Sequence, residues 1–250
     1  MKKQSSKSRR NFIQSLAAGT ILLSLSPLVG VAQTKQDELP ALKSNGNKLI
    51  LGMVVFDGFQ LLDVFGPLEM FGSLRDKVEI LIIGERHGLV KSSAGPSVVI
   101  DCTFDEVKTL NILMVPGGGG TRREVNNGAL IDAFKKLAES APHVASICTG
   151  AAILAKTGLI DGLKATTNKR AFKWATSQSD KVTWVKEARW VEDGKFFTSS
   201  GISAGTDMAL ALIQKIFGRD TAIRIANGAE YEWNEDSLHD PFAKLNGLVD

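Results

Sequence analysis

The chain has 250 residues, of which 44% are hydrophobic and 23% are charged. This is the composition of an ordinary globular protein with enough apolar residues for a sizeable core. The formal charge is +3. Residues 1–32 carry five Lys or Arg and no Asp or Glu, so the rest of the chain has a charge of −2. This remainder has no excess of basic residues that would favour binding of nucleic acid.

The first 32 residues have the layout of a secretory signal peptide. A positive stretch precedes an apolar run from Phe12 to Val31, and Gly30-Val31-Ala32 offers a small-residue cleavage site. Residues 8–13, Ser-Arg-Arg-Asn-Phe-Ile, resemble the twin-arginine export signal. We therefore expect a periplasmic or otherwise exported protein with no stable membrane anchor after cleavage. An uncleaved or lipid-anchored helix fits less well, because glycine and proline interrupt the apolar run.

Residues 33–47 are polar and aperiodic, which is typical of a flexible tether. Residues 48–250 alternate apolar strand-like runs with helical patterns, which predicts one α/β domain with a mostly parallel sheet. In chain order, the predicted elements are a strand (48–56), a helix (60–73) that Gly66-Pro67 kinks or splits, a strand (78–83), a hairpin (89–100), a helix start (103–106), a strand (112–115), a helix (126–140), a strand (144–147), a helix ending near 156, a short strand (164–167), a helix (169–178), two strands (182–191 and 195–198) and two helices (202–217 and 219–228).

Four features of chemical interest lie just beyond the carboxyl ends of predicted strands. They are Asp63, the loop Gly117–Gly120, Cys148 and the stretch Ser199-Ser200-Gly201. In open α/β sheets, ligands bind outside the carboxyl ends of the strands. We therefore expect these four features to form one site.

Cys148 is the candidate nucleophile, because it stands at a sharp turn between a strand and a helix of small residues. The free N–H groups and the positive dipole end of that helix favour the thiolate form of the cysteine. The alternative is a buried and inert cysteine. A disulfide with Cys102 is disfavoured, because the two cysteines follow different strands.

A histidine base for Cys148 is poorly supported. His143 lies a full strand away, roughly 16 Å, and His87 and His239 have the pattern of solvated surface residues. Asp63 is a better partner, because burial among apolar neighbours raises the pKa of a carboxyl and lets it hold a proton. The alternative for Asp63 is a helix cap or a surface carboxylate.

Backbone and hydroxyl donors near the cysteine are expected to stabilise developing negative charge. Thr149 offers its hydroxyl and its N–H, and the N–H groups of Gly117, Gly118 and Gly119 can approach closely because glycine has no side chain. The alternative for the glycine run is a flexible turn. Phosphate-loop spacing is absent, and we expect no metal and no cofactor.

The motifs of this chain together resemble those of the ThiJ/PfpI superfamily, over about residues 48–233. This resemblance implies a flavodoxin-like, glutamine-amidotransferase-like α/β sandwich with helices on both faces and a nucleophile elbow. Within the superfamily, the chain resembles the isonitrile hydratase branch. The matching stretches are PGG (116–118), SICTGA (146–151), ATT (165–167) and DGKFFTSSGISAGTDMAL (193–210) for the superfamily, and LLDVFGPLE (61–69) and CTG (148–150) for the branch.

The resemblance implies a cysteine-dependent hydratase or lyase acting on a small molecule. In that branch the residues matching Cys148, Asp63 and Thr149 carry catalysis. The thiolate attacks an isonitrile carbon, the carboxyl supplies a proton, and water releases an N-substituted formamide. Protease-like relatives have histidine where Thr149 stands, which argues against a peptidase. Family members commonly dimerise, so a homodimer is expected.

The substrate pocket implied by the resemblance contains Asn168, Ser200 and Gly201. Asn168 stands where related hydratases often have histidine. Two other functions remain open: a non-catalytic redox-sensing or ligand-binding protein, and a glyoxalase- or deglycase-like enzyme acting on reactive carbonyls. A transcription regulator is disfavoured, because no DNA-binding helix pair follows residue 228.

Overall fold

The computed structural model of the protein describes residues 48–250. The predicted signal peptide (1–32) and tether (33–47) lie outside these residues, so their bounds and the expected export stay predictions. The strands are β1 Leu49–Val54, β2 Val78–Gly84, β3 Leu89–Lys91, β4 Ser97–Val99, β5 Cys102–Thr103, β6 Ile112–Val115, β7 His143–Ser146, β8 Lys164–Ala165, β9 Thr183–Trp184, β10 Trp190–Asp193 and β11 Phe196–Ser199. The helices are α1 Leu61–Gly72, α2 Thr121–Glu124, α3 Gly128–Ser140, α4 Gly150–Lys156, α5 Phe172–Thr176, α6 Ala204–Phe217, α7 Arg219–Gly228 and α8 Pro241–Leu245.

A seven-stranded sheet in the order β10-β11-β7-β6-β1-β2-β5 forms the centre of the domain. Neighbouring strands are parallel except for the antiparallel pair β10 and β11. The central strands are nearly continuous apolar runs, as expected for parallel strands covered on both faces. All four residues of β6 are buried.

The helices form two groups around this sheet. Helices α1, α6 and α7 pack together, and α2, α3, α4 and α5 form a second group. The right-handed connections from β1 to β2 and from β6 to β7 run in opposite directions along the sheet, which places the two groups on opposite faces. The predicted α/β sandwich is therefore confirmed.

Several local features differ from the predictions. The short helix α2 was not predicted, and the predicted strand 182–191 is divided into β9 and β10, which lie in different sheets. Of the two outcomes predicted for Gly66-Pro67, the helix is not split: α1 is one continuous helix with Pro67 inside it, and a kink there stays a prediction. No helix begins at residue 103: the Glu106 carboxylate accepts from the Thr103 N–H at 2.7 Å, but the chain forms only a turn before reaching β6. Helix α8 was not predicted; Asp240 caps it by accepting from the Phe242 N–H at 3.0 Å.

Candidate active site

The elbow between β7 and α4 holds Cys148 in a left-handed backbone conformation, with φ 56°. This conformation is rare for a residue other than glycine and persists only where the surroundings fix it. Here the Cys148 N–H donates to the Ser200 carbonyl at 3.2 Å, and its carbonyl accepts from the Thr167 hydroxyl at 2.8 Å. Gly150 permits the tight turn, since a Cβ there would lie 2.5 Å from the Val115 carbonyl oxygen.

Asp63 lies in the first turn of α1 and is fully buried. Its Oδ2 accepts from the Gly117 N–H at 2.8 Å, while its Oδ1 has no hydrogen-bond partner among the residues described. Burial raises the pKa of this carboxyl to about 7, although the bond from Gly117 and the interaction with the Cys148 thiol lower it in part. The expected burial and raised pKa of Asp63 are thus present, and the N-cap of α1 is Gln60 and not Asp63; the role of Asp63 as a proton donor stays a prediction.

The Cys148 thiol is surrounded by three N–H donors. The Asn168 Nδ2 donates to Sγ at 3.2 Å, and the backbone N–H groups of Thr149 and Ile202 also face the sulfur. The pKa of the thiol is nevertheless raised to about 12, first by burial and then by the negative charge of Asp63. The expected bias of the resting cysteine toward thiolate is therefore wrong, because burial and the neighbouring carboxylate outweigh the three N–H donors.

Asp63 and Cys148 together form a buried pair of acids. Above pH 7 the carboxyl is ionised and the thiol keeps its proton, so the pair holds one proton. Transfer of that proton to Asp63 would leave a thiolate facing three N–H donors and a neutral carboxyl, which can return the proton to a bound molecule. This arrangement suits addition of a thiol across an unsaturated carbon.

The N–H groups of Gly117 and Gly118 are not available to stabilise an oxyanion. The first donates to Asp63, and the second donates to the Thr149 Oγ1 at 3.1 Å. This corrects the role expected for these two glycines. Gly119 is exposed, and its expected contribution stays a prediction.

Gly117 instead allows three groups to approach one another. A Cβ at Gly117 would lie 2.6 Å from both the N and the Oγ1 of Thr149 and 2.9 Å from Asp63 Oδ2. The Thr149 Oγ1 also accepts from the Thr121 hydroxyl at 3.0 Å. The Thr149 hydroxyl therefore holds the glycine loop in place. The group of Thr149 that faces the Cys148 sulfur is its backbone N–H.

The residues assigned to the substrate pocket lie directly around Cys148. Asn168 contacts the sulfur itself, and its Oδ1 accepts from the Ala171 N–H at 2.8 Å, which orients the amide. Gly201 leaves room for this amide, since a Cβ there would lie 2.2 Å from Asn168 Nδ2. Ser200 contributes its backbone carbonyl to the elbow.

Ile202 is a site residue that sequence reasoning missed. Its φ is 45°, an outlier for a β-branched residue, and this conformation accompanies the N–H that faces the Cys148 sulfur. No local signal in the sequence indicates this role, because a left-handed position normally predicts glycine.

Access to the sulfur is narrow, since Cys148 is only 6% exposed. A cavity of about 320 Å³ lies elsewhere, beyond the ends of β1 and β2, and Cys148 is not among its lining residues. Its polar lining includes Asp57, Glu85, His87 and Arg123. We place the candidate site at Cys148 because the nucleophile, the carboxyl and the N–H donors meet there.

We also searched residues 48–250 for a metal site, a disulfide and a membrane-spanning helix. These residues contain no group of three or more His, Cys, Asp or Glu placed to hold a metal ion. Both cysteines are free thiols, as expected. None of the helices in this part of the chain is long and apolar enough to cross a membrane.

Several known proteins are similar to this chain in sequence. Residues 50–215 match the model of the DJ-1/PfpI family. An isonitrile hydratase from Pseudomonas putida is 34% identical over 186 residues, covering 73% of this chain and 78% of that protein. A deglycase from Pyrococcus abyssi is 29% identical over 157 residues, covering 60% of this chain and 87% of that protein.

A similar fold is also found among solved structures. A ThiJ/PfpI family protein from Pseudomonas syringae has a TM-score of 0.69 and 26% identity, with 80% of this chain and 84% of that chain covered. The family model and the isonitrile hydratase each cover well over half of the chain. The chain therefore belongs to the DJ-1/PfpI family.

Proposed function

We propose that the protein hydrates isonitriles to N-substituted formamides through Cys148. The observation that carries this proposal is the buried pair of Asp63 and Cys148, which shares one proton next to three N–H donors. The similarity to the Pseudomonas putida isonitrile hydratase supports the same chemistry.

The reaction needs one proton on the pair. The Cys148 sulfur forms a bond to the terminal carbon of the isonitrile, and the proton passes through Asp63 to the same carbon, which gives a thioimidate. Water then adds to the thioimidate carbon, the nitrogen takes a proton, and the C–S bond breaks as the sulfur regains its proton. One isonitrile and one water thus give one N-substituted formamide.

The shape of the site also favours this substrate class. The isonitrile group is linear and only two atoms long, so its terminal carbon can reach a sulfur that is 6% exposed. Addition of the thiol to this carbon creates no oxyanion in its first step. The site accordingly lacks free donors at Gly117 and Gly118, whose N–H groups are already bonded.

Chemistry on reactive carbonyls is the second candidate, and the similarity to a deglycase favours it. Addition to a carbonyl generates an oxyanion that needs free N–H donors. Because the N–H groups of Gly117 and Gly118 are already occupied, we rank this candidate second. A redox-sensing role ranks third, because peroxide reacts with thiolate and the pKa of about 12 keeps the resting Cys148 as a thiol.

Incubation of the purified protein with cyclohexyl isonitrile tests the proposal. We expect N-cyclohexylformamide, detected by chromatography, with Cys148→Ala inactive. Cys102→Ala is the matched control, because Cys102 is also a buried free thiol but lies on β5, at the edge of the sheet. Absence of formamide, or unchanged turnover in Cys148→Ala, would overturn the proposal. Consumption of methylglyoxal in a parallel incubation with that aldehyde would favour the second candidate.

We also propose that the protein acts as a homodimer, as the resemblance to its family implies. Two apolar side chains on α1, Leu62 and Phe65, are 44% and 47% exposed. They lie three positions apart and therefore on one face of the helix. This exposed apolar face is the surface that we propose for the dimer interface.

A further inference from the structure

Lys169 is a buried lysine directly after Asn168, and no step described above uses it. Lys169 is only 3% exposed. Lysine is rarely buried unless its ammonium group is bonded, because an unpaired buried charge is costly. Here the Nζ donates to the Thr166 Oγ1 at 2.8 Å and to the Ala188 carbonyl at 2.5 Å.

Asp240 provides a negative charge that stabilises the ammonium group of Lys169. Burial lowers the pKa of Lys169 to about 8, and the negative charge of Asp240 acts in the other direction. Asp240 is itself 2% exposed, and its Oδ2 has no hydrogen-bond partner within residues 48–250. The Asp240 N–H donates to the Glu187 carbonyl at 2.7 Å. Lys169 and Asp240 thus hold the same short segment, residues 187–189, which we call the bridge.

The bridge also contacts the residues that support the nucleophile. The Arg189 carbonyl accepts from the Ser200 N–H at 2.8 Å, and the Ser200 carbonyl in turn accepts from the Cys148 N–H. On its other side, the Arg189 N–H donates to the Ser237 carbonyl at 2.8 Å. The bridge therefore joins the C-terminal segment 237–240 to the elbow.

We propose that Lys169 is a positioning residue that holds Asn168 against the Cys148 sulfur. Residue 168 is fixed on one side by the bond between its Oδ1 and the Ala171 N–H, and on the other by the attachment of Lys169 to the bridge. Without the ammonium group, the backbone at residues 168–169 loses its anchor to the bridge. The Asn168 amide then no longer stays within bonding distance of the sulfur.

Alkylation of Cys148 by iodoacetamide tests this role without using the proposed reaction. Asn168 stabilises the thiolate, so its displacement raises the pKa of the thiol. For Lys169→Met we expect alkylation at a given pH to slow about tenfold. Lys173→Met is the matched control, because Lys173 is exposed on the next helix, and we expect no change there.

A double-mutant cycle with Asn168→Ala identifies the route of the effect. If Lys169 acts through Asn168, Lys169→Met slows alkylation in the native background and has no further effect in Asn168→Ala. An equal slowing in both backgrounds would show a direct effect of the lysine charge and overturn the proposal. No slowing in folded Lys169→Met would also overturn it.

If Lys169→Met does not fold, the variant Asp240→Asn tests the positioning role of Lys169 instead. This variant removes the negative charge that stabilises the Lys169 ammonium and keeps a side chain of the same size. We expect a smaller slowing of alkylation, which again disappears in Asn168→Ala. Unchanged alkylation in folded Asp240→Asn would contradict the proposal. Because the readout is alkylation, failure of isonitrile turnover would leave this test valid.

Discussion

At the scale of single residues, the chemistry depends on where one proton lies between Asp63 and Cys148. Burial raises the pKa of both groups, to about 7 for the carboxyl and about 12 for the thiol. The negative charge of Asp63 is also a cause of the high thiol pKa. Each group therefore controls the protonation of the other, and activity should follow the state of the pair.

The pH dependence of turnover follows from these values. The state that reacts carries one proton on the pair, whereas below pH 7 both groups are protonated. We therefore expect kcat/KM for an isonitrile to rise with pH through about 7 and then to stay level, because the next proton leaves only near 12. Initial rates between roughly pH 5 and 9 measure this profile. Activity that is flat or falling across pH 7 would contradict it.

Asp63→Asn separates the reactivity of the thiol from turnover. Removal of the negative charge lowers the pKa of Cys148, so alkylation by iodoacetamide at pH 8 should become about tenfold faster or more. Isonitrile turnover should be lost, because the amide can neither take nor return the proton. Asp132→Asn, an exposed change on α3, serves as the control. Slower alkylation in Asp63→Asn would show that the carboxylate does not oppose thiolate formation.

Some of these residue-scale features could be predicted from the sequence and others could not. Asp63 lies among apolar residues in a helix just beyond a strand, and that context alone predicts burial and a raised pKa. The roles of Gly117 and Gly118 could not be predicted, because their N–H partners are distant in sequence. The contribution of Ile202 depends on a backbone conformation that its side chain disfavours, so no propensity indicates it.

At the scale of elements, the site exists because four strand ends meet closely packed loops and helices. Helix α1 brings Asp63 to the sheet edge and packs against α6, where a Cβ on Gly66 would lie 2.4 Å from the Thr206 Oγ1. The loop after β6 lies against the elbow after β7 through Gly117 and Thr149. The strand ends could be predicted from apolar runs, whereas these close approaches depend on packing between distant segments.

A pair of glycine substitutions tests this packing. In Gly117→Ala the new methyl group would lie 2.6 Å from the Thr149 N and 2.9 Å from Asp63 Oδ2, so the elbow or the carboxyl must move. We expect turnover to fall about a hundredfold. Gly119→Ala is the control two residues away, where a Cβ meets nothing within 4 Å. Equal activity of the two variants would show that turnover does not depend on the close approach between the loop after β6 and the elbow at Cys148.

At the scale of the whole molecule, the parallel sheet explains why one edge carries the chemistry. The α/β class and the mostly parallel sheet follow from alternating apolar runs and helical patterns, which explains why the fold class was predictable, whereas the order of the strands was not predicted. The tail beyond residue 228 was not predicted in detail. Its position depends on buried contacts of Asp207, which accepts from the Tyr231 hydroxyl and the Asn234 N–H at 3.0 Å each.

The proposed homodimer is tested on α1. We expect the native protein to sediment as a dimer and Phe65→Glu to sediment as a monomer, because the change places a charge in the proposed apolar interface. Leu245→Glu on α8 is the control, since Leu245 is 77% exposed and lies away from α1 in the chain. A native monomer at assay concentration, or a dimer that survives Phe65→Glu, would contradict an interface on this face.

The most direct test of the proposed chemistry is detection of the thioimidate on Cys148. Rapid mixing with cyclohexyl isonitrile, followed by an acid quench and intact-mass measurement, should show an adduct equal to the full mass of the isonitrile, because the first step is an addition with no leaving group. The adduct should be absent in Cys148→Ser and present in Cys102→Ala. Formamide production without this adduct, or an adduct that persists in Cys148→Ser, would contradict the assignment of Cys148 as the nucleophile.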